Sequence, residues 1–131
     1  MSIDYWAVGT LDITPPVPLA ALRELLDSPY APLAIAPKGT TEDEAKKMDG
    51  EWFAVAADDA GTDDQGHPTT IGAVIVNHDG RSFTALERLR RLAACCAADT
   101  EFDGEVLLEG EAGDTGFIAQ TEEGDLYLWW D

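Results

Sequence analysis

The sequence predicts an α+β fold, in which a largely antiparallel or mixed sheet of five to six strands carries two main helices on one face. Three observations lead to this prediction. Several short runs alternate between apolar and polar residues or are rich in β-branched residues, as strands are. Two longer stretches place leucines at the spacing of a helix face. Turn-forming residues separate short apolar runs at the C-terminal end, and 131 residues suit a single domain, 1–131.

The N-terminal segment predicts a strand followed by a helix. Residues 3–13 alternate, with Tyr5 and Leu11 on one side and Trp6 on the other. Pro15 and Pro16 are expected to end this strand, because proline cannot donate a hydrogen bond to a ladder. A helix opened by Pro16 or Pro18 follows. Its predicted buried stripe consists of Leu19, Leu22, Leu25 and Leu26.

The middle of the chain predicts a short helix between two strand regions. Thr41 and Glu44 have the spacing of a capping box, which predicts a short exposed helix that ends near Gly50. Residues 51–57 and 69–78 read as strands joined by a long polar loop.

The C-terminal half predicts the second main helix and three more strands. The helix begins at Ser82 or Thr84. The strands lie near 104–109, 116–120 and 125–130. The first six main elements therefore follow the ferredoxin-like β-α-β-β-α-β order, with a C-terminal hairpin as an extension. The buried stripe of the second helix is predicted at Leu86, Leu89, Leu92, Ala93 and Cys96.

The net charge of −18 is extreme for a chain of this size. It argues against direct binding to nucleic acid, which needs a cationic surface, and against attachment to an anionic membrane. It favours a basic protein as partner. Adaptation to a high-salt habitat is an alternative explanation, since the chain has few lysines.

The cysteines and the N-terminus predict a cytoplasmic protein. Cys95 and Cys96 are adjacent, and neighbouring cysteines do not normally form an unstrained disulfide, so reduced thiols are expected. The first residues have neither the basic flank nor the apolar run of a signal peptide. No stretch is apolar for long enough to span a membrane.

Catalytic, metal-binding and cofactor-binding motifs are not recognised in the sequence, and no catalytic residue, metal ligand or cofactor is predicted. His67 and His78 with the two cysteines have ligand chemistry without ligand spacing. Acidic residues in the loop 58–67 and around the turn between Glu109 and Asp114 leave open a small enzyme that uses carboxylates.

The last third of the chain carries the predicted partner-binding residues. Eleven acidic residues and no basic residue follow position 98, and apolar residues are threaded among them. Acids that share one parity of a strand would project from one side of it, interrupted by Leu107. Trp130 is included as an aromatic anchor. The predicted residues are Glu101, Asp103, Glu105, Glu109, Glu111, Asp114 and Trp130.

Two stretches resemble a family of small bacterial and phage proteins without an established activity. One is the run from Gly9 to Pro16, in which a strand ends in Pro-Pro. The other runs from Phe102 to Asp114 and contains Glu-Gly-Glu followed by Gly-Asp. The resemblance implies boundaries of the elements and implies no activity, cofactor or partner.

These observations predict a non-enzymatic acidic binding or inhibitor protein. In its narrower form, a protein from a phage or mobile element mimics the charge of nucleic acid and blocks a basic partner, such as a nucleic-acid-binding enzyme. A homo-oligomeric accessory protein, such as a homodimer that pairs edge strands, is an alternative. The small enzyme described above is another.

Overall fold

A seven-stranded mixed sheet organises the residues that the computed structural model describes, which are 4–26, 34–47, 53–58, 64 and 69–130. The strands are β1 (Asp4–Pro18), β2 (Ala34–Ala36), β3 (Phe53–Ala57), β4 (Thr70–Arg81), β5 (Glu101–Gly110), β6 (Thr115–Gln120) and β7 (Leu126–Trp130). The helices are a 3-10 helix (Leu19–Leu22), α1 (Arg23–Leu26), α2 (Glu42–Lys46) and α3 (Ser82–Ala94). The strand order is β2-β3-β4-β1-β5-β6-β7, and every neighbouring pair is antiparallel except β2 and β3.

The predicted fold class is wrong, because the described chain is mostly β. Its sheet has seven strands rather than five to six. Only α3, with 13 residues, is a long helix, whereas α1 has four residues and α2 has five. The protein is therefore not a ferredoxin-like α+β fold with two main helices on one face. The 15-residue strand β1 pairs with both β4 and β5, so much of the chain satisfies its backbone hydrogen bonds in the sheet.

The first predicted helix and the predicted end of the first strand are also wrong in detail. β1 continues through Pro15 and Pro16, where its register with β4 shifts between Asp12 and Val17. An irregularity of the ladder tolerates residues without a backbone donor. The predicted helix forms directly after Pro18 as the 3-10 helix followed by α1, over eight residues, and it is not one of two main α-helices. Leu22 from this segment is still fully buried in the core.

The main core lies between the sheet and α3. Leu86, Leu89 and Leu92 are buried on this helix, as their spacing predicted. Ala93 and Cys96 are half-buried and pack against the same core. We call this side of the sheet the α3 face. Fully buried strand residues complete it: Leu11, Val55, Val74, Val76, Val106 and Ile118.

The opposite side of the sheet is covered in part by α2, and we call it the α2 face. The predicted capping box at Thr41 and Glu44 is confirmed, and both of its hydrogen bonds form. Ala45 packs from α2 into a small second cluster that includes Ala54 and Ile75. The main contacts of α2 are with β4 and β1. Among the described elements, none packs extensively over the β5–β7 half of this face.

Candidate partner-binding face

Glu101, Asp103, Glu105 and Glu109 lie on one side of β5, and we call these four residues the acid row. All four side chains are exposed, whereas Phe102, Val106 and Leu108 are buried. The register with β1 sets Glu109 opposite Trp6 and Glu105 opposite Thr10. Directly opposed residues of antiparallel strands project from the same side of a sheet. The acid row therefore lies on the α2 face.

The register adds a fifth carboxylate to this surface. Asp12 on β1 is directly opposite Asp103 on β5, and both are exposed. Directly opposed side chains have Cβ atoms about 4.5–5.5 Å apart, and like charges at such positions are destabilising. Sequence inspection did not include Asp12 in the site, because only the pairing of β1 with β5 brings the two aspartates together. The fold thus concentrates negative charge at one end of the α2 face.

The remaining predicted residues lie elsewhere. Glu111 and Asp114 are exposed in the turn between β5 and β6, which the backbone N–H of Gly110 closes by donating to the carbonyl oxygen of Asp114 over 2.7 Å. Trp130 belongs to the α3 face, where its ring centroid lies 4.9 Å from that of Tyr5. The structure therefore separates Trp130 from the acid row by the thickness of the sheet.

Exposed and half-buried apolar side chains accompany the acid row on the α2 face. Val8, Leu107, Phe117 and Trp129 stand directly opposite one another on β1, β5, β6 and β7, and we call them the apolar row. The rings of Phe117 and Trp129 stack with centroids 5.2 Å apart. Leu107 is 56% exposed and Trp129 is 39% exposed. From the sequence, Trp130 is predicted as the aromatic anchor and Trp129 is not. Counting residues outward from the β6–β7 turn pairs Trp129 with Phe117, and this count is the signal that places Trp129 in the apolar row.

Trp6 borders the apolar row and is held in place by neighbouring elements. Its indole Nε1 donates a hydrogen bond to Asn77 Oδ1 over 2.9 Å, and Asn77 Nδ2 donates to the carbonyl oxygen of Glu42 over 3.0 Å. Lys46 Nζ lies 5.5 Å from the centroid of the Trp6 ring. These contacts fix the orientation of an indole that is still 45% exposed. A fixed aromatic side chain loses little conformational entropy when a partner binds it.

Of the two parts of the alternative carboxylate site, the turn from Glu109 to Asp114 is described, whereas the loop 58–67 lies mostly outside the described residues. Of the loop 58–67, only Asp58 and Asp64 are described, so the enzyme hypothesis stays a prediction. Within the described ranges, no group of three or more His, Cys, Asp or Glu residues is arranged to hold a metal ion.

The two thiols lie at the C-terminal end of α3. Neither cysteine is in a disulfide, and each thiol donates to the carbonyl oxygen four residues earlier, at 3.4 Å for Cys95 and 3.5 Å for Cys96. Burial raises the pKa of the Cys96 thiol from its ordinary value of 9.0 to about 11, and the neighbouring Cys95 adds to the rise. A thiol with a raised pKa is a poor nucleophile at neutral pH, because the thiolate is the reactive form.

We expect Cys96 to be alkylated about 100-fold more slowly in the folded protein than in the unfolded protein at pH 8. The rise of the thiol pKa from 9.0 to about 11 lowers the thiolate fraction at this pH by about that factor. The unmodified protein is treated with iodoacetamide, and fragmentation of the alkylated peptide by mass spectrometry distinguishes Cys96 from the adjacent Cys95, which also contributes to the pKa rise. The folded thiol keeps its proton to higher pH than the unfolded thiol, so its contribution to stability is present below pH 9 and is lost as the pH rises towards 11. Equal alkylation rates with and without denaturant at pH 8 would contradict this expectation.

Comparison with known proteins found no match from which a function could be assigned. No family model matches the sequence, and no curated protein or solved structure is significantly similar to it. The resemblance drawn from the Pro-Pro and Glu-Gly-Glu segments therefore stays a prediction. No helix in the described part of the chain has the length and apolar character needed to cross a membrane.

Proposed function

We propose that this chain is a non-enzymatic binding protein that presents the acid row of its α2 face to a basic surface of another protein. The observation that carries the proposal is the exposed acid row with Asp12 directly opposite Asp103. Clustered like charges cost folding stability, and a basic partner would relieve that cost. The net charge of −18 would also steer a basic partner towards the protein before contact.

Mimicry of nucleic acid is the narrower form of this proposal. Neighbouring acids on one side of a strand are about 6.6–6.8 Å apart, whereas one DNA strand carries a charge every ~3.4 Å. The acid row alone is therefore sparser than a nucleic-acid backbone, and Leu107 interrupts it. Asp12 on the adjacent strand brings the local charge density closer to that of a duplex. A partner that normally binds nucleic acid is consistent with this arrangement.

The proposal includes a cytoplasmic setting, which is supported by the absence of a disulfide at Cys95 and Cys96. The homo-oligomer alternative would use an edge of the sheet, and β7 is one such edge. Arg90 Nε donates a hydrogen bond to the carbonyl oxygen of Leu126 on this strand over 2.9 Å. That contact occupies one backbone acceptor of β7, and it favours the α2 face over this edge as the binding surface.

Neutralising the acid row is expected to reduce partner binding by roughly 10-fold or more, because several exposed charge pairs are lost together. The test variant carries Glu101→Gln, Asp103→Asn, Glu105→Gln and Glu109→Gln. The control variant neutralises the same number of exposed acids outside the acid row, by Asp64→Asn, Glu87→Gln, Glu123→Gln and Asp125→Asn. Each immobilised protein is incubated with host-cell lysate at low and at high salt, and bound proteins are identified by mass spectrometry.

The proposal expects the unmodified protein and the control variant to retain the same basic protein at low salt and to release it at high salt. The acid-row variant is expected to lose that protein. Release by added duplex DNA would support the narrower form. Equal retention by the two variants, or no retained protein at either salt concentration, would overturn the proposal and leave solubility or habitat as the explanation of the acidity.

A further inference from the structure

Val8, Leu107 and Phe117 of the apolar row form the floor of an open groove on the α2 face, and Trp129 continues the row beyond the groove lining. Adjacent strands are about 4.8 Å apart, so the row extends for about 14 Å across β1, β5, β6 and β7. The groove has a volume of about 640 Å³, and Trp6, Val8, Leu107 and Phe117 provide its apolar lining. An apolar groove of this kind on an otherwise strongly acidic surface is a feature that charge alone does not explain.

Carboxylates border the groove on both sides. Glu105 and Glu109 line it, and each is two residues from Leu107 along β5. The two acids are therefore separated by about 13 Å along the strand. Asp43 of α2 adds a third carboxylate to the lining. Positive charge on both sides of an apolar stripe would complement this arrangement.

The dimensions fit a helix better than an extended segment. A helix with its side chains is about 10–12 Å wide, which matches the separation of Glu105 and Glu109. A single strand occupies only about 4.8 Å, so it would leave at least one of these acids without a partner. The row is as long as about nine helical residues at 1.5 Å each. The neighbouring α2 already packs on this face of the sheet through Ala45.

Trp6 provides an aromatic wall of the groove. Lys46 Nζ lies 5.5 Å from the centroid of its ring, so a cation–π contact within the chain helps to hold the indole in place. The hydrogen bond from its Nε1 to Asn77 Oδ1 fixes the ring. A preorganised aromatic side chain beside an apolar floor is typical of the residues that dominate protein–protein binding energy.

We infer that this groove binds a basic amphipathic helix of a partner protein. The apolar stripe of that helix packs on the apolar row, and its Lys or Arg residues pair with Glu105, Glu109 and Asp43. This inference rests on the proposed function, because it specifies which structure of a basic partner the acidic face recognises. It adds a component of binding that salt does not screen, since burial of apolar surface does not depend on charge.

The test uses two synthetic peptides of about 14 residues, long enough to cover the row, which are acetylated and amidated at their ends. In the first, Leu residues share one helical face and Arg residues fill the others. The second has the same composition in an order that distributes Leu around the helix. Calorimetric titration of the full chain is expected to give about 10-fold tighter binding for the first peptide, because only its leucines can be buried together on the row.

Two variants of the protein locate the peptide. Leu107→Ser keeps every charge and is expected to reduce binding of the first peptide to the level of the second. Leu19→Ser makes the same substitution at a half-buried leucine that packs against the main core, away from the α2 face, and is expected to leave binding unchanged. Circular dichroism verifies that both variants are folded.

Three outcomes would overturn the inference. Equal, salt-sensitive binding of both peptides would leave the proposed electrostatic function standing and remove the helix groove. Tight binding of the first peptide that Leu107→Ser does not weaken would assign it to another surface. Absence of binding by either peptide would exclude this class of partner, while the lysate experiment would still decide the proposed function independently.

Discussion

Gly9→Ala is expected to lower the free energy of unfolding by roughly 3 kcal/mol, because the added methyl group has no space between β1 and β5. A Cβ atom at this position would overlap the carbonyl oxygen of Glu105 and would lie 2.8 Å from the Cα atom of Val106. Both are backbone atoms, so relief requires the two strands to separate. The same strands carry Val8, Leu107 and the acid row, so the substitution would also disturb the candidate site.

Guanidinium titration followed by tryptophan fluorescence measures this effect. Gly72→Ala in β4 is the matched control, since its added Cβ atom would lie 3.4 Å from the nearest atoms, those of the Asp58 side chain, which is ordinary contact. We expect this control to remain within about 1 kcal/mol of the unmodified protein. Similar unfolding midpoints for the two variants would show that β1 and β5 do not approach as closely as described.

Leu89→Ala is expected to cost about 3 kcal/mol, because it leaves a cavity at the centre of the main core. Leu89 has no exposed surface and lies in the middle of α3, where it packs against the strands. The cost combines the transfer free energy of the removed methyl groups with the weaker dispersion attraction among the side chains that line the cavity. Since α3 is the only long helix in the described chain, few other elements hold this side of the sheet in place.

The control for this substitution lies on the same helix. Glu87 is exposed, and Glu87→Ala is expected to change the free energy of unfolding by about 0.5 kcal/mol or less. Chemical denaturation under reducing conditions compares the two variants. A cost for Leu89→Ala that is no larger than that of Glu87→Ala would mean that α3 does not cover the core.

Local features of the fold were predictable where nearby residues decide them. The capping box at Thr41 depends on two side chains three residues apart. The buried stripe that includes Leu89 depends on helical spacing within one segment. The exposed parity of Glu105 and Glu109 follows from the alternation of a single strand. Each of these features can be predicted from one segment without knowing which strand pairs with it.

The errors arose where distant residues compete for the same backbone. Pro15 and Pro16 were expected to end β1, but pairing with β4 resumes at Val17 and extends the strand. Leu22 is predicted to lie in a main helix, whereas in the structure it is buried in the core from the 3-10 helix. The β6–β7 register also decides which tryptophan lies on the acidic side, namely Trp129, and the role of Trp130 as a binding anchor stays a prediction. In each case, tertiary packing determines a choice that local propensity leaves open.

The order of residues is enough to show that acids strongly outnumber bases, that the last third alternates acidic and apolar residues, and that an amphipathic helix precedes it. The position of Asp12 opposite Asp103, and the continuous row of Leu107, Phe117 and Trp129, follow from strand pairing between distant segments. Charge and periodicity are properties of a segment, whereas strand order and register depend on which distant surfaces bury each other best.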